Sequence, residues 1–183
     1  MMKFALAAAL AAGLPFAALA QDAAADSGTV RTIEPYVGVL GGYDTFDDSS
    51  DFSIPGRTGK MNSALVEGVA GVNVPLGSML FVGAEGNIAK GFNDIDWEYG
   101  AKARAGIRAG ESSLIYLTAG YQWVDGRRGY AKHNDWVYGG GVELSPKDFG
   151  FGGAGNNGPR LRLQVDTYDF QNIRPMAGVV FGF

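Results

Sequence analysis

"WEYGAKARAGIRA", Trp97 to Ala109, alternates without a break. Trp97, Tyr99, Ala101, Ala103, Ala105, Ile107 and Ala109 share one phase, and Glu98, Gly100, Lys102, Arg104, Gly106 and Arg108 share the other. A period of two marks a strand, whose successive side chains point to opposite faces. The run is also long. Ordinary strands have about five or six residues, whereas a tilted strand that crosses a bilayer needs about nine to eleven.

Working outward from this stretch, the same pattern predicts eight strands, over 31–43, 62–74, 79–91, 97–109, 113–124, 134–145, 159–169 and 173–183. In the fifth, Ile115, Leu117, Ala119, Tyr121 and Trp123 oppose Tyr116, Thr118, Gly120 and Gln122. In the seventh, Leu161, Leu163, Val165 and Thr167 oppose Arg160, Arg162, Gln164, Asp166 and Tyr168. In the last, Ile173, Pro175, Ala177, Val179, Phe181 and Phe183 oppose Arg174, Met176, Gly178, Val180 and Gly182. The connections at 75–78 and 110–112 read as tight turns, and 93–96 and 171–172 as short links. Those at 44–60 and 125–133 are longer and polar. With both termini on the periplasmic side, 44–60, 93–96, 125–133 and 171–172 face outward. An even strand count with short periplasmic turns is the rule for bacterial outer-membrane barrels. The Gly-rich connection at 146–158 is longer than that rule expects.

Composition agrees. Glycine occurs 29 times in 183 residues, which disfavours helices and suits a twisted sheet with many turns. Residues 1–20 read as a cleaved signal peptide, with Lys3 before an Ala-rich apolar stretch and Ala18-Leu19-Ala20 before Gln21. Residues 21–30 form a polar lead-in, and 31–183 the barrel. The formal charge of −4 becomes −5 when Lys3 leaves with the leader. No basic face is present that would suit a nucleic acid. There is no cysteine, so disulfides and thiolate chemistry are excluded.

Alternation alone does not say which face is outside. Three features decide for lipid. The polar face is too rich in glycine and too poor in charge to be a good water-facing surface. Tyr43, Phe92, Trp97, Tyr99, Tyr121, Trp123, Trp136 and Tyr138 gather at the strand ends beside the proposed external loops, as an interfacial aromatic girdle does. The final Phe183 lies in the apolar phase. The inward face then carries six acids, Glu34, Glu67, Glu85, Glu98, Glu143 and Asp166, against six bases, Lys102, Arg104, Arg108, Arg160, Arg162 and Arg174. An eight-stranded barrel has an interior just wide enough for side chains to fill it. The expected result is a network of paired charges that plugs the lumen and fixes strand register, rather than an ion pathway. Lys90 falls in the lipid phase near the external end, where its stem can snorkel.

Several motifs invite a chemical reading. "GFGGAG", Gly150 to Gly155, matches a dinucleotide fingerprint, but "NNGPR" follows where a helix must start. "GRTGKM", Gly56 to Met61, lacks the phosphate-loop spacing. Asp44, Asp47, Asp48 and Asp51 read as a solvated acidic loop without calcium-loop spacing. His133 is the single histidine; Asp135 is near it, but no serine lies in its loop to complete a hydrolytic set. No catalytic residue, metal site or cofactor is expected.

The eight strand units, the leader and the "VVFGF" ending resemble the small eight-stranded outer-membrane barrels of the OmpA-barrel, OmpX and opacity-protein type, over about 30–183. That resemblance implies an all-β, eight-stranded antiparallel up-and-down transmembrane β-barrel in the outer membrane of a Gram-negative cell. It implies recognition of Val179, Phe181 and Phe183 by the barrel-assembly machinery. The peptidoglycan-binding domain that follows the barrel of OmpA itself is not expected. The function so implied is a non-enzymatic envelope structural or surface-interaction barrel. Its partners are outer-membrane lipid, lipopolysaccharide and an extracellular ligand met through 44–60 and 125–133. A narrow pore for ions or small solutes is the alternative, followed by a lipid-modifying enzyme centred on His133.

Overall fold

A computed structural model of the chain describes residues 33–46, 62–110, 112–127, 132–150 and 158–183. Eight antiparallel strands close into a barrel in sequence order. They are β1 (Glu34–Phe46), β2 (Asn62–Leu76), β3 (Leu80–Gly91), β4 (Ile95–Ala109), β5 (Ser113–Gly126), β6 (His133–Leu144), β7 (Gly158–Tyr168) and β8 (Asn172–Gly182). β8 pairs back onto β1, from Tyr36 opposite Gly182 to Phe46 opposite Asn172, and closure leaves no open edge. One end of the barrel carries both strand termini of the closed sheet; the other, called here the loop end, carries the connections after β1, β3, β5 and β7.

Alternation runs through the strands, interrupted at the start of β4, and its outward phase is apolar. Val39, Val66, Leu80, Ile88, Ile107, Ile115, Leu117, Leu163, Val165 and Phe181 are all exposed. A water-soluble barrel does not present a continuous band of this kind. Lys90 is the one lysine or arginine of the described strands in the outward phase, at the loop end of β3. Nearer the bilayer midplane such a charge would cost about 2–4 kcal/mol. The all-β, eight-stranded transmembrane barrel read from the sequence is therefore the observed fold.

Most strand boundaries differ from the sequence reading by one to three residues, and four of the differences matter. β1 runs from Glu34 to Phe46 rather than over 31–43, because its inward phase continues through Asp44 and Phe46, both fully buried. Asp44 thus belongs to the barrel interior and not to an acidic loop. Asp47, Asp48 and Asp51 lie outside the described residues, as do the leader and lead-in at 1–30. Within the predicted 93–96 link, Ile95 already opens β4 and is fully buried. A shift of register between Ile95 and Trp97 adds a residue to the strand. Such a bulge puts Ile95 on the same face as Glu98, three positions on, which strict alternation forbids.

The link read at 171–172 is instead a turn centred on Asp169 and Phe170. Both have positive φ, at 42° and 62°, and the Gln171 amide donates to the Tyr168 carbonyl at 2.8 Å. This is the backbone of a primed hairpin turn, which matches strand twist but usually selects Asn or Gly. The connection read at 125–133 is shortened from both sides by β5 and β6, and 128–131 lie outside the described residues.

The long 146–158 connection begins with a short 3-10 helix, Pro146–Phe149. Ser145 caps it, and Gly150 ends it with a φ of 80°. The Ser113 hydroxyl donates to the Asp148 carboxylate and accepts from the Ser145 amide, so this short helix is tied to the start of β5.

Candidate functional site: the lumen and the loop-end rim

All twelve charges expected on the inner face lie there. Asp44, which the sequence reading put in a loop, joins them. From the loop end downward the interior is layered. Phe46, Ile95, Val124, Val137 and Tyr168 form an apolar cluster at the top. β1, the β4 bulge, β5, β6 and β7 each contribute one member, so the cluster spans the mouth.

Below it lies a layer centred on Arg174. Its Nη1 donates to Glu98 and its Nη2 to Glu67. Glu98 also accepts from the Tyr168 hydroxyl at 3.1 Å and from Gln122 Nε2 at 3.3 Å. Glu67 also accepts from Asn87 Nδ2 at 3.1 Å. Asn172 ties Asp44 into the same layer and accepts the Tyr168 amide at 2.6 Å. Lys102 pairs with Asp166 at 2.6 Å, and Gln164 donates to both Asp166 oxygens. Leu40, Leu65, Val69, Ala89 and Met176 pack along the β1–β3 and β8 side.

A second charged layer follows toward the other end. Arg162 donates through Nη1 to Glu85, and through Nη2 at 2.7 Å and Nε at 3.1 Å to Glu143. Arg104 reaches the same Glu143 at 2.8 Å and stands 3.6 Å from Glu85. Arg160 lies 2.9 Å from Glu143. Tyr36 donates to Glu85 at 2.8 Å. The Arg104 guanidinium sits 3.9 Å from the Tyr116 ring centroid, a stacked cation over an aromatic face. Phe81, Leu114 and Tyr116 close this layer below. The Arg108–Glu34 pair, at 2.6 Å, sits at the end opposite the loops and is partly exposed.

The glycines of the inner face make room for these groups. A Cβ on Gly139 would run into the Asp166 carboxylate, and one on Gly71 into the Tyr36 hydroxyl. The neutral partners Tyr36, Tyr116, Tyr168, Asn87, Gln122, Gln164 and Asn172 were missed by the sequence reading. Apart from Asn172, which fell in a predicted link, their inward phase was readable, but nothing local says which charge they meet across the lumen.

At the loop end, the eight aromatics expected in a girdle all lie in the outward phase or, for Phe92, in the turn after β3. Tyr99 stacks on Trp123 at 5.7 Å, and Tyr121 stands edge-on to Trp123 and Trp136. Phe170, not among the eight, stacks on Tyr138 at 5.5 Å. Lys90 lies 4.3 Å over the Trp97 ring and pairs with Asp96, which Arg127 also reaches at 2.8 Å. The Asp125 carboxylate, 2.9 Å from Lys132, holds that ammonium above its ordinary range. His133 opens β6 opposite Val124, and its side chain lies outside the described residues. Val179, Phe181 and Phe183 point outward and are exposed.

A closed eight-stranded barrel, apolar outside and charged within, is by fold an integral protein of the Gram-negative outer membrane. It is similar to the attachment invasion locus protein of Yersinia pestis, with 14% identity over 82% of this chain and 97% of that one and a TM-score of 0.52. Neisserial surface protein A is similar at 14% identity over 81% of this chain and 97% of that one, with a TM-score of 0.48. No family model and no curated protein matches the sequence.

Proposed function

We propose that the chain is a non-enzymatic barrel that serves the outer membrane as a structural or surface-interaction protein, with a lumen filled by ion pairs rather than open to flow. One observation carries this reading. In an eight-stranded barrel, strands four apart in order face each other across the full diameter. Arg174 of β8 meets Glu98 of β4, and Arg162 of β7 meets Glu85 of β3. Two diametric ion pairs at different heights obstruct any straight path, and the apolar clusters above and below add to the closure. Buried charges matched by opposite charges and hydrogen bonds hold a fixed geometry, whereas removing one partner strands the other.

In this reading the aromatic rim contacts the headgroups of outer-membrane lipid and lipopolysaccharide. Val179, Phe181 and Phe183 present the outward signal to the assembly machinery. Any extracellular ligand is met by the connections after β1 and β5.

Reconstitution in planar bilayers tests the closed lumen, and no stable conductance is expected. Steady single-channel steps that change when Arg104 or Glu85 is neutralised would establish a narrow pore instead. A change in lipid A composition that depends on the barrel and disappears with His133→Ala would overturn the non-enzymatic reading.

A further inference from the structure

The outward face is not evenly filled. Across β6, β7, β8 and β1 it holds an apolar depression of about 560 Å³. Gly41 of β1 stands opposite Ala177 of β8 there, and Val165 of β7 lies between Pro175 of β8 and Gly140 of β6. Gly41, Gly140 and Ala177 carry little or no side chain, and a Cβ on Gly41 would meet nothing within 4 Å. On the flanks the wall rises again. Val66 of β2 is opposite Gly41 and Leu117 of β5 is opposite Gly140, and the two are 46% and 73% exposed. A hollow at this depth is filled by hydrocarbon, because a bare apolar wall forfeits its dispersion contacts.

The depression opens toward the loop end. One outward step above Gly41 and Gly140 stand Tyr43 and Tyr138 of the girdle, and Phe170 stacks on Tyr138 at 5.5 Å. The turn between β7 and β8 adds the exposed carboxylate of Asp169. No described lysine or arginine of β6, β7, β8 or β1 lies in the outward phase. The cations of the rim, Lys90, Arg127 and Lys132, pair instead with Asp96 of β4 and Asp125 of β5. Among the described residues, a headgroup above the depression thus meets a carboxylate and aromatic faces, which favour a cation. It meets none of the arginine or lysine donors that suit a phosphate-rich glycolipid.

We infer that this depression seats one acyl chain of a phospholipid with an ammonium headgroup. The chain lies over Gly41, Ala177 and Gly140, and the ammonium meets Asp169 and the Tyr138–Phe170 stack. Every outward-facing side chain that lines the depression is apolar, so a water-soluble ligand has nothing to bind. A second copy related by a two-fold axis through this face would set hollow against hollow and enlarge the void. The seat rests on the reading of the barrel as an outer-membrane protein whose rim contacts lipid; it does not need a closed lumen.

Barrels are refolded into vesicles of phosphatidylethanolamine, phosphatidylglycerol and lipopolysaccharide, extracted in mild detergent and weighed intact by native mass spectrometry. Wild type is expected to keep one phosphatidylethanolamine. The Gly41→Leu/Ala177→Leu variant fills the hollow with side chains that point into lipid, and is expected to keep none. Ala103→Leu, on the outward face of β4, is expected to keep it. Folding of each is checked by the heat-dependent gel shift. Wild-type barrels that carry no lipid, or carry phosphatidylglycerol or lipopolysaccharide in its place, overturn the inference. So does retention by the folded double variant, equal loss in Ala103→Leu, or a lipid-free dimer that the double variant disperses. Each of these results leaves the membrane barrel standing. A wild-type chain that stays out of the vesicles and dissolves without detergent refutes the membrane reading along with the seat.

Discussion

Arg174 reaches Glu67 with one terminal nitrogen and Glu98 with the other, and its Nε lies 3.1 Å from the Met176 sulfur. Arg174→Met removes the guanidinium and leaves both carboxylates buried beside Asp44. A loss of about 3–5 kcal/mol is expected, the scale for stripping one partner from a buried pair. Urea unfolding in detergent micelles measures it. Glu67→Gln is expected to cost less, since Arg174 keeps Glu98 and the new amide still accepts. Gly139→Val brings a Cβ into the Asp166 carboxylate and is expected to weaken the Lys102 pair, lowering the unfolding midpoint in the same assay. At this scale the sequence told which charges point inward, because a period of two leaves a strand residue only two choices. It did not tell which charges meet. Glu85 and Arg162 are 77 positions apart, and their meeting depends on closure of the whole sheet.

At the scale of the element, strand existence was legible and strand ends were not. Asp44 reads as loop because it is acidic and followed by more acids, yet Asn172 gives it a buried partner that local sequence does not show. The β4 bulge breaks the alternation that revealed the strand, so Ile95 was assigned to a link. The β7–β8 turn was misplaced because Phe170 is not a usual residue at positive φ, although Asp169 is. Phe170 is held there by its stack on Tyr138. Phe170→Ala removes the stack but keeps the left-handed backbone, and is expected to cost about 1 kcal/mol. Phe170→Gly loses the same stack but relieves the backbone, so it is expected to cost less. The order of the two in urea unfolding checks the account. If glycine is the more damaging, the turn is not strained as described.

For the whole molecule, the decisive inference is the direction of the two faces. A soluble barrel and a membrane barrel share the same alternation, and the glycine-rich polar face, the aromatic girdle and the phase of Phe183 separated them in the sequence. The structure adds the band of exposed aliphatic side chains outside and the layered, cross-braced interior. The same packing explains why the lumen is rich in glycine. Bulky charged groups from opposite walls meet within a barrel whose bore side chains can fill. The chain has no cysteine, so single spin-label sites are clean to introduce. Consecutive positions Leu117, Thr118 and Ala119 on β5 test the face assignment most directly, by nitroxide relaxation with oxygen dissolved in the bilayer. Labels at 117 and 119 are expected to collide freely with lipid-borne oxygen, and the label at 118 to be shielded. The opposite phase, or equal access at all three positions, would contradict a barrel with its apolar face in lipid and its charges within.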